Sequence, residues 1–201
     1  MKVLCAGVAA VFLLVLGAAL RPVFFADSAA PPTLFGVTEL GFVQDMTAHH
    51  QQALILTERL DAGVDPAVRG LADQIADVQR MEIGTLLGWT QLAGAAPTSA
   101  EPMRWMARDH HSSSGHEGMP GMATVAELDA LSAARGAAAE TLFLRLMYRH
   151  HAGGIAMARA ADALLTSGPV KQAARAMAQS QSQELGYLGM LLELRGARPA
   201  S

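Results

Sequence analysis

The sequence predicts an all-α protein, a four-helix bundle made of two repeated helical hairpins, with a membrane helix at the N-terminus. Composition is the first observation, because 51% of the 201 residues are hydrophobic but only 5% are aromatic. Alanine and leucine supply much of the apolar content and runs of β-branched residues are few, which favours helices over strands. The second observation is an apolar spacing close to the helical period, and the third is an internal repeat.

The first 26 residues predict a membrane anchor or signal segment. An uninterrupted apolar and glycine run, residues 3–20, lies between Lys2 and Arg21. Its length reaches the lower limit for a spanning helix and exceeds a usual signal-peptide core. Pro31 directly follows the small residues that would form a cleavage site, so an uncleaved anchor is favoured over a cleaved signal. We expect a single span in the cell membrane with an extracytoplasmic domain, or a secreted or periplasmic protein where the signal is cleaved.

Turn and capping signals divide the rest of the chain into a linker, one helical domain and a short tail. Asp65-Pro66 predicts the start of a helix, with aspartate as N-cap and proline at the first helical position. Thr124 and Glu127 form a capping box that predicts another helix start. The expected segments are a linker over 27–37, a domain over 38–196 containing a hairpin (38–94), a Met/His-rich loop (95–123) and a short helix with a second hairpin (124–196), and a tail over 197–201.

An internal repeat relates the two hairpins. Residues 42–50, FVQDMTAHH, match residues 143–151, FLRLMYRHH, without a gap. Residues 79–84, QRMEIG, align with residues 181–186, QSQELG, after an offset of one residue. Each half is therefore predicted to be one helical hairpin, and two such hairpins packed together make a four-helix bundle.

The repeated residues are candidate metal ligands. Residues three and four apart share one face of a helix, so Met46 presents a thioether beside the imidazole of His49, with His50 next to it. The second copy has the same arrangement, at Met147, His150 and His151. Thioether sulfur is a soft ligand that selects Cu(I), while imidazole binds copper, zinc and iron.

Three carboxylates complete this predicted site. Glu82 and Glu184 occupy matched positions on the second helix of each hairpin, where they are expected to face the histidines as ligands or as hydrogen-bond acceptors. Asp45 precedes the first repeated methionine and is expected to bind the metal or to orient a histidine. Its counterpart in the second copy is Leu146, so that role is missing there.

The Met/His-rich loop is a second candidate metal site. Its residues show no apolar periodicity, and methionine is uncommon on exposed loops because it is buried by preference. The candidate ligands are Met103, Met106, His110, His111, His116, Met119 and Met122.

Two blocks and a connector carry a family resemblance. Residues 42–53, residues 143–156 and the connector GMPGMAT at 118–124 resemble the domain-of-unknown-function 305 (DUF305) family, over roughly residues 41–195. The resemblance implies a ferritin-like four-helix fold, export from the cytoplasm and, in some members, copper binding linked to copper tolerance. Leu146 and the bulky Tyr148-Arg149 pair depart from the family's pattern.

The leading functional hypothesis is extracytoplasmic copper binding, for sequestration or chaperoning, without catalysis. Copper, as Cu(I) or Cu(II), is the expected metal, with zinc or iron as alternatives and a copper-handling protein as an expected partner. The second reading is a ferritin-like dimetal oxidoreductase, a class that normally carries two Glu-x-x-His motifs, of which this sequence has none. A metal-free helical module with histidines that sense pH is the third reading. The net charge of −3 gives no reason to expect nucleic acid, and Cys5, as the single cysteine, excludes a multi-cysteine metal site.

Overall fold

The computed structural model describes Val15, residues 33–106 and residues 118–198, and the regular structure of these residues is entirely helical. All-α architecture is thus confirmed for the described chain. In order along the chain, the elements are α1 (Val37–Glu58), α2 (Pro66–Leu92), a 3₁₀ turn (Arg104–Met106), α3 (Val125–Ala133), α4 (Gly136–Leu164) and α5 (Pro169–Leu194).

The predicted membrane segment, residues 1–26, lies outside the described residues except for Val15. Among the helices that the structure describes, none has a stretch that is both long and apolar enough to cross a bilayer.

The four long helices pack as two hairpins. Helix α1 packs along α2, helix α4 packs along α5, and the hairpins meet mainly through α1 and α4. The first helix of each repeat therefore lies at the centre of the bundle, and the second helix flanks it. This is the helical bundle of two hairpins that the repeat predicts, and it brings the two copies of the histidine motif against each other.

Local signals set the helix boundaries as expected. The Asp65 carboxylate accepts a hydrogen bond from Ala67 N at 2.8 Å, with Pro66 in the first helical position of α2. The capping box at α3 is complete, because Thr124 Oγ1 accepts from Glu127 N and Glu127 Oε2 accepts from Thr124 N. Each cap satisfies backbone groups that the first helical turn leaves without an intrahelical partner.

The described residues of the predicted loop, 95–106 and 118–123, contain no α-helix, and their methionines are half-buried or buried instead of exposed. Residues 104–106 form a 3₁₀ turn, and the Trp105 ring meets Phe42 edge-on at 5.5 Å between ring centroids. Met119 is buried in an apolar cluster, and Met103, Met106 and Met122 pack against that cluster. Met119 thus occupies a buried position, as methionine prefers, while the other three are half-buried.

The apolar core has two parts, with the histidines between them. Along α1, Met46 belongs to one cluster and Ala53 to the other. Along α4, Met147 and Met157 are divided in the same way. The histidine pair of each helix lies between its two named residues, so a polar layer separates the two halves of the core.

Candidate metal site

Four buried histidines form the centre of the polar layer. His49 and His50 come from α1 and His150 and His151 from α4, and each is at most 1% exposed. The rings of His49 and His150 are nearly stacked, with centroids 3.9 Å apart and planes 32° apart. The structure therefore joins residues about a hundred positions apart into one cluster, which the hairpin repeat alone does not specify.

Two backbone carbonyls fix the tautomers of the central pair. His49 Nε2 lies 3.1 Å from the carbonyl oxygen of Pro120, and His150 Nε2 lies 3.0 Å from the carbonyl oxygen of His49. A carbonyl oxygen can only accept, so each Nε2 must carry the hydrogen. In a neutral imidazole the other nitrogen, Nδ1, then holds a lone pair.

The outer two histidines each face a glutamate of their own hairpin. His151 Nε2 lies 2.6 Å from Glu184 Oε2. His50 Nε2 lies 2.7 Å from Glu82 Oε2, at ion-pair distance but less well aligned for a hydrogen bond. Both glutamates thus occupy the place expected from the repeat, beside a ring nitrogen. A histidine that donates Nε2–H to a carboxylate is in the arrangement that protein metal sites use to orient imidazole ligands.

The four Nδ1 atoms of His49, His50, His150 and His151 are buried and have no hydrogen-bond partner among the described residues. Leaving a buried acceptor without a partner costs roughly 1–3 kcal/mol. A cluster of four such atoms at the centre of a core is therefore costly unless another species binds to it. A deprotonated imidazole nitrogen is the form that ligates a metal ion.

Burial keeps the central histidines neutral. Loss of solvation, with a smaller contribution from His50, lowers the pKa of His49 from its usual 6.5 to about 3. The pKa of His150 is also lowered well below 6.5, first by burial and then by the neighbouring histidines. At neutral pH both Nδ1 lone pairs are available to a ligand.

The donor set fits a soft metal ion. Met46 and Met147 are fully buried, one in each apolar cluster, on helices α1 and α4. Imidazole and thioether together are copper ligands, while the glutamates supply negative charge. Within the described residues no three His, Cys, Asp or Glu side chains already converge on one point, so we expect side-chain rotation on binding.

The structure describes four of the seven candidate ligands of the loop, all of them methionines. Met103, Met106, Met119 and Met122 lie in or against the apolar cluster that contains Met46. The three loop histidines, His110, His111 and His116, lie outside the described residues.

Asp45 anchors the 3₁₀ turn with one of its oxygens. Its Oδ2 accepts hydrogen bonds from Met103 N at 2.6 Å and from the Trp105 indole at 2.8 Å. Met103 has a φ of 64°, which is a left-handed backbone conformation that residues with a side chain rarely adopt. The sequence did not predict this contact. It accounts for an aspartate in the first copy only, because Leu146, its counterpart, packs in the apolar core.

Asp45→Ala is expected to destabilise the fold by roughly 1–3 kcal/mol, because two partly buried donors lose their acceptor. The measurement is urea unfolding, with tryptophan fluorescence as a second readout, since Trp105 is one of only two tryptophans. Asp73→Ala, at an exposed position on α2, is the matched control and should change stability little. Equal unfolding midpoints for the two variants would contradict the anchoring role.

The Gly-Met-Pro-Gly-Met connector is clamped over the histidines. Gln52 makes two hydrogen bonds to Ala123, accepting from its N–H at 2.6 Å and donating to its carbonyl at 2.8 Å. Arg149 donates to both oxygens of Glu127, at 2.7 and 2.6 Å, and to the Met122 carbonyl. These contacts hold the Pro120 carbonyl against His49. They also give a structural role to Arg149, one of the residues at which the sequence departs from the family's pattern.

Two buried glutamines precede the glutamates of the layer and were not among the predicted ligands. Gln79 and Gln181 are almost fully buried, one turn before Glu82 and Glu184 on α2 and α5. The sequence signal was the Gln-x-x-Glu pattern shared by the two repeats. Glutamine is usually a surface residue, so the pattern alone did not mark it as part of a site.

Fold and site together define a class of protein, a helical bundle built by repetition whose centre is a layer of four histidines and two glutamates. The chain belongs to the DUF305 family, a domain of unknown function, whose sequence pattern matches residues 39–192.

Solved structures of the family are similar to the chain over most of its length. A DUF305 protein from Streptomyces coelicolor is 37% identical, with a TM-score of 0.73, over 82% of this chain and 97% of that one. A DUF305 fragment from Deinococcus radiodurans is 33% identical, with a TM-score of 0.65, over 80% of this chain and 98% of that one. CopM in its Cu(II)-bound form shares the fold at 24% identity and a TM-score of 0.58, covering 78% and 96% of the two chains. Comparison with curated proteins finds no match.

Proposed function

We propose that this protein binds copper at the buried histidine layer, as a store or carrier. The observation that carries this proposal is the set of four buried Nδ1 atoms without partners among the described residues. They belong to two copies of one motif, brought together by the packing of α1 against α4.

The surroundings of the histidines support ligand binding over a purely structural role. Each Nε2 faces an oxygen, from a backbone carbonyl in His49 and His150 and from a glutamate in His50 and His151. Acceptors at Nε2 orient the rings and leave Nδ1 for a ligand. A structural histidine layer would be more stable with both nitrogens hydrogen-bonded.

Preference for copper follows from the thioethers. Met46 and Met147 lie three residues before His49 and His150, on the same helix faces, and sulfur is a poor ligand for hard ions. Two glutamates bring negative charge that a bound cation offsets. CopM, which shares the fold, has been described in a Cu(II)-bound form, which is consistent with this choice of metal.

The setting we propose is extracytoplasmic. Residues 1–26 would act as an N-terminal anchor or a signal, the bundle would keep the ferritin-like topology implied by the family, and the ion would pass to or from a copper-handling partner protein. Zinc and iron are the alternative metals.

Anaerobic titration of the full chain with Cu(I), against a competing chelator, tests the proposal, with Zn(II) titrated in parallel. We expect tight, stoichiometric Cu(I) binding and weaker Zn(II) binding, because the soft thioethers favour Cu(I). Failure to bind either metal would sink the proposal and leave the histidines as structural or pH-sensing groups.

A further inference from the structure

Gln181 has a buried side-chain amide that makes no hydrogen bond within the described part of the protein. The residue is 2% exposed, and neither Oε1 nor Nε2 has a hydrogen-bond partner among the described residues. Because both ends of the amide are open, this observation does not depend on which end is assigned as oxygen. Buried amides are almost always hydrogen-bonded, so a partner is expected.

The amide of Gln181 reaches the central histidines through a gap left by a glycine. A Cβ on Gly154 of α4 would overlap Gln181 Oε1 and would lie 3.1 Å from His49 Cε1. Gln181 Oε1 and His49 Cε1 therefore both lie close to the same point beside Gly154. In the ring, Cε1 is bonded to both nitrogens, of which Nδ1 is the one without a partner among the described residues.

The first hairpin has the same glutamine but not the same gap. Gln79 is also buried, and its Oε1 lacks a partner among the described residues. In the register of the repeat, however, the residue that matches Gly154 is Ala53. The first hairpin thus has a methyl side chain at the position that corresponds to Gly154, and the two halves of the centre are not equivalent.

We propose that Gln181 holds a small exogenous ligand beside His49, water in the resting protein, so that a metal ion in the layer keeps an exchangeable coordination position. Water satisfies both ends of the amide, because it donates to Oε1 and accepts from Nε2–H. A small anion replaces the water by accepting from Nε2–H, once the amide has rotated so that its nitrogen faces His49. The role at the metal rests on the proposed copper binding, whereas the solvent site does not.

Azide titration of the Cu(II)-loaded full chain tests the exchangeable position, with the azide-to-copper charge-transfer absorption as readout. Copper content is measured first in every variant. We expect the wild-type protein to bind azide saturably. Gln181→Leu should keep its copper but bind azide about tenfold more weakly, the usual effect of losing one hydrogen bond. Gln183→Leu, at an exposed position on the same helix, is the matched control and should bind azide like the wild type.

Equal azide affinity in Gln181→Leu and wild type, or no azide binding by copper-loaded wild type, would overturn the inference. A metal-free readout separates this result from the fate of the proposed function. Magnetisation transfer from water to the Gln181 side-chain amide protons, measured by NMR, should reveal a bound water. If the chain binds no copper, the proposed function fails, and the NMR measurement alone then tests the water site. Absence of magnetisation transfer from water to the Gln181 amide would refute that site.

Discussion

Changing both His49 and His150 to alanine is expected to abolish tight copper binding while the chain remains helical. These two residues form the centre of the layer, with their rings in close contact, and their Nδ1 atoms are two of the four buried nitrogens without a partner among the described residues. In the remaining pair, His50 and His151, each Nε2 atom faces the glutamate of its own hairpin. Removing the central pair should therefore weaken Cu(I) binding by several orders of magnitude, since each lost metal ligand removes a large part of the binding free energy.

The measurement is the same chelator competition, with circular dichroism and thermal unfolding to verify the fold. The matched control is His110→Ala with His111→Ala, another adjacent histidine pair in the same chain, which should retain the buried site. Full copper binding by the His49/His150 variant, together with loss in the His110/His111 variant, would move the site to the Met/His-rich loop. Loss of helical content in the first variant would instead show that the layer is structural.

Gly153→Ala is expected to give the largest loss of stability among single methyl additions at the described helical glycines. A Cβ at this position would overlap the carbonyl oxygen of Pro120 and would lie 2.9 Å from Gly121 N. Both are backbone atoms of the clamped connector, so they cannot move aside as a flexible side chain would. Adding volume to a packed core usually costs about 1–3 kcal/mol, and we expect the upper end here. The Pro120 carbonyl would also shift away from His49.

Gly186→Ala on α5 is the control, and we expect it to raise the stability instead of lowering it. A Cβ there meets nothing within 4 Å, so the change should stabilise the protein by roughly 0.5–1 kcal/mol through the better helix propensity of alanine. Urea unfolding of the two variants measures both effects. A stable Gly153→Ala protein, with an unfolding midpoint at or above that of wild type, would show that the connector does not press on α4 as described.

The helices and their ends could be predicted because the signals for them are local. Asp65-Pro66 and the Thr124–Glu127 capping box mark helix starts through bonds to backbone groups within one turn. The repeat added long-range information, since two similar hairpins imply similar packing. It also indicated that Glu82 and Glu184 would face the histidines of their own hairpins.

Methionine positions in the connecting segment could not be predicted in the same way. A thioether is both a soft ligand and a core side chain, and spacing does not distinguish the two uses. Met119 was expected on a loop and is buried beside residues of α1, α4 and α5. Asp45 presented the same ambiguity, because the groups that donate hydrogen bonds to it, Met103 N and the Trp105 indole, lie more than fifty residues away in the sequence.

By itself, the sequence determined that the described chain is helical and built of two repeated hairpins, because periodicity, capping and repetition are features of neighbouring residues. It also marked the histidines and glutamates that the structure brings into one buried layer. Only the tertiary structure decided how those residues are used. The contact of the His49 ring with the His150 ring, the lack of a protein partner at Nδ1, and the approach of Gln181 to His49 beside Gly154 all depend on where α1, α4, α5 and the connector meet. Contacts between segments far apart in the chain are set by packing, which no local pattern encodes.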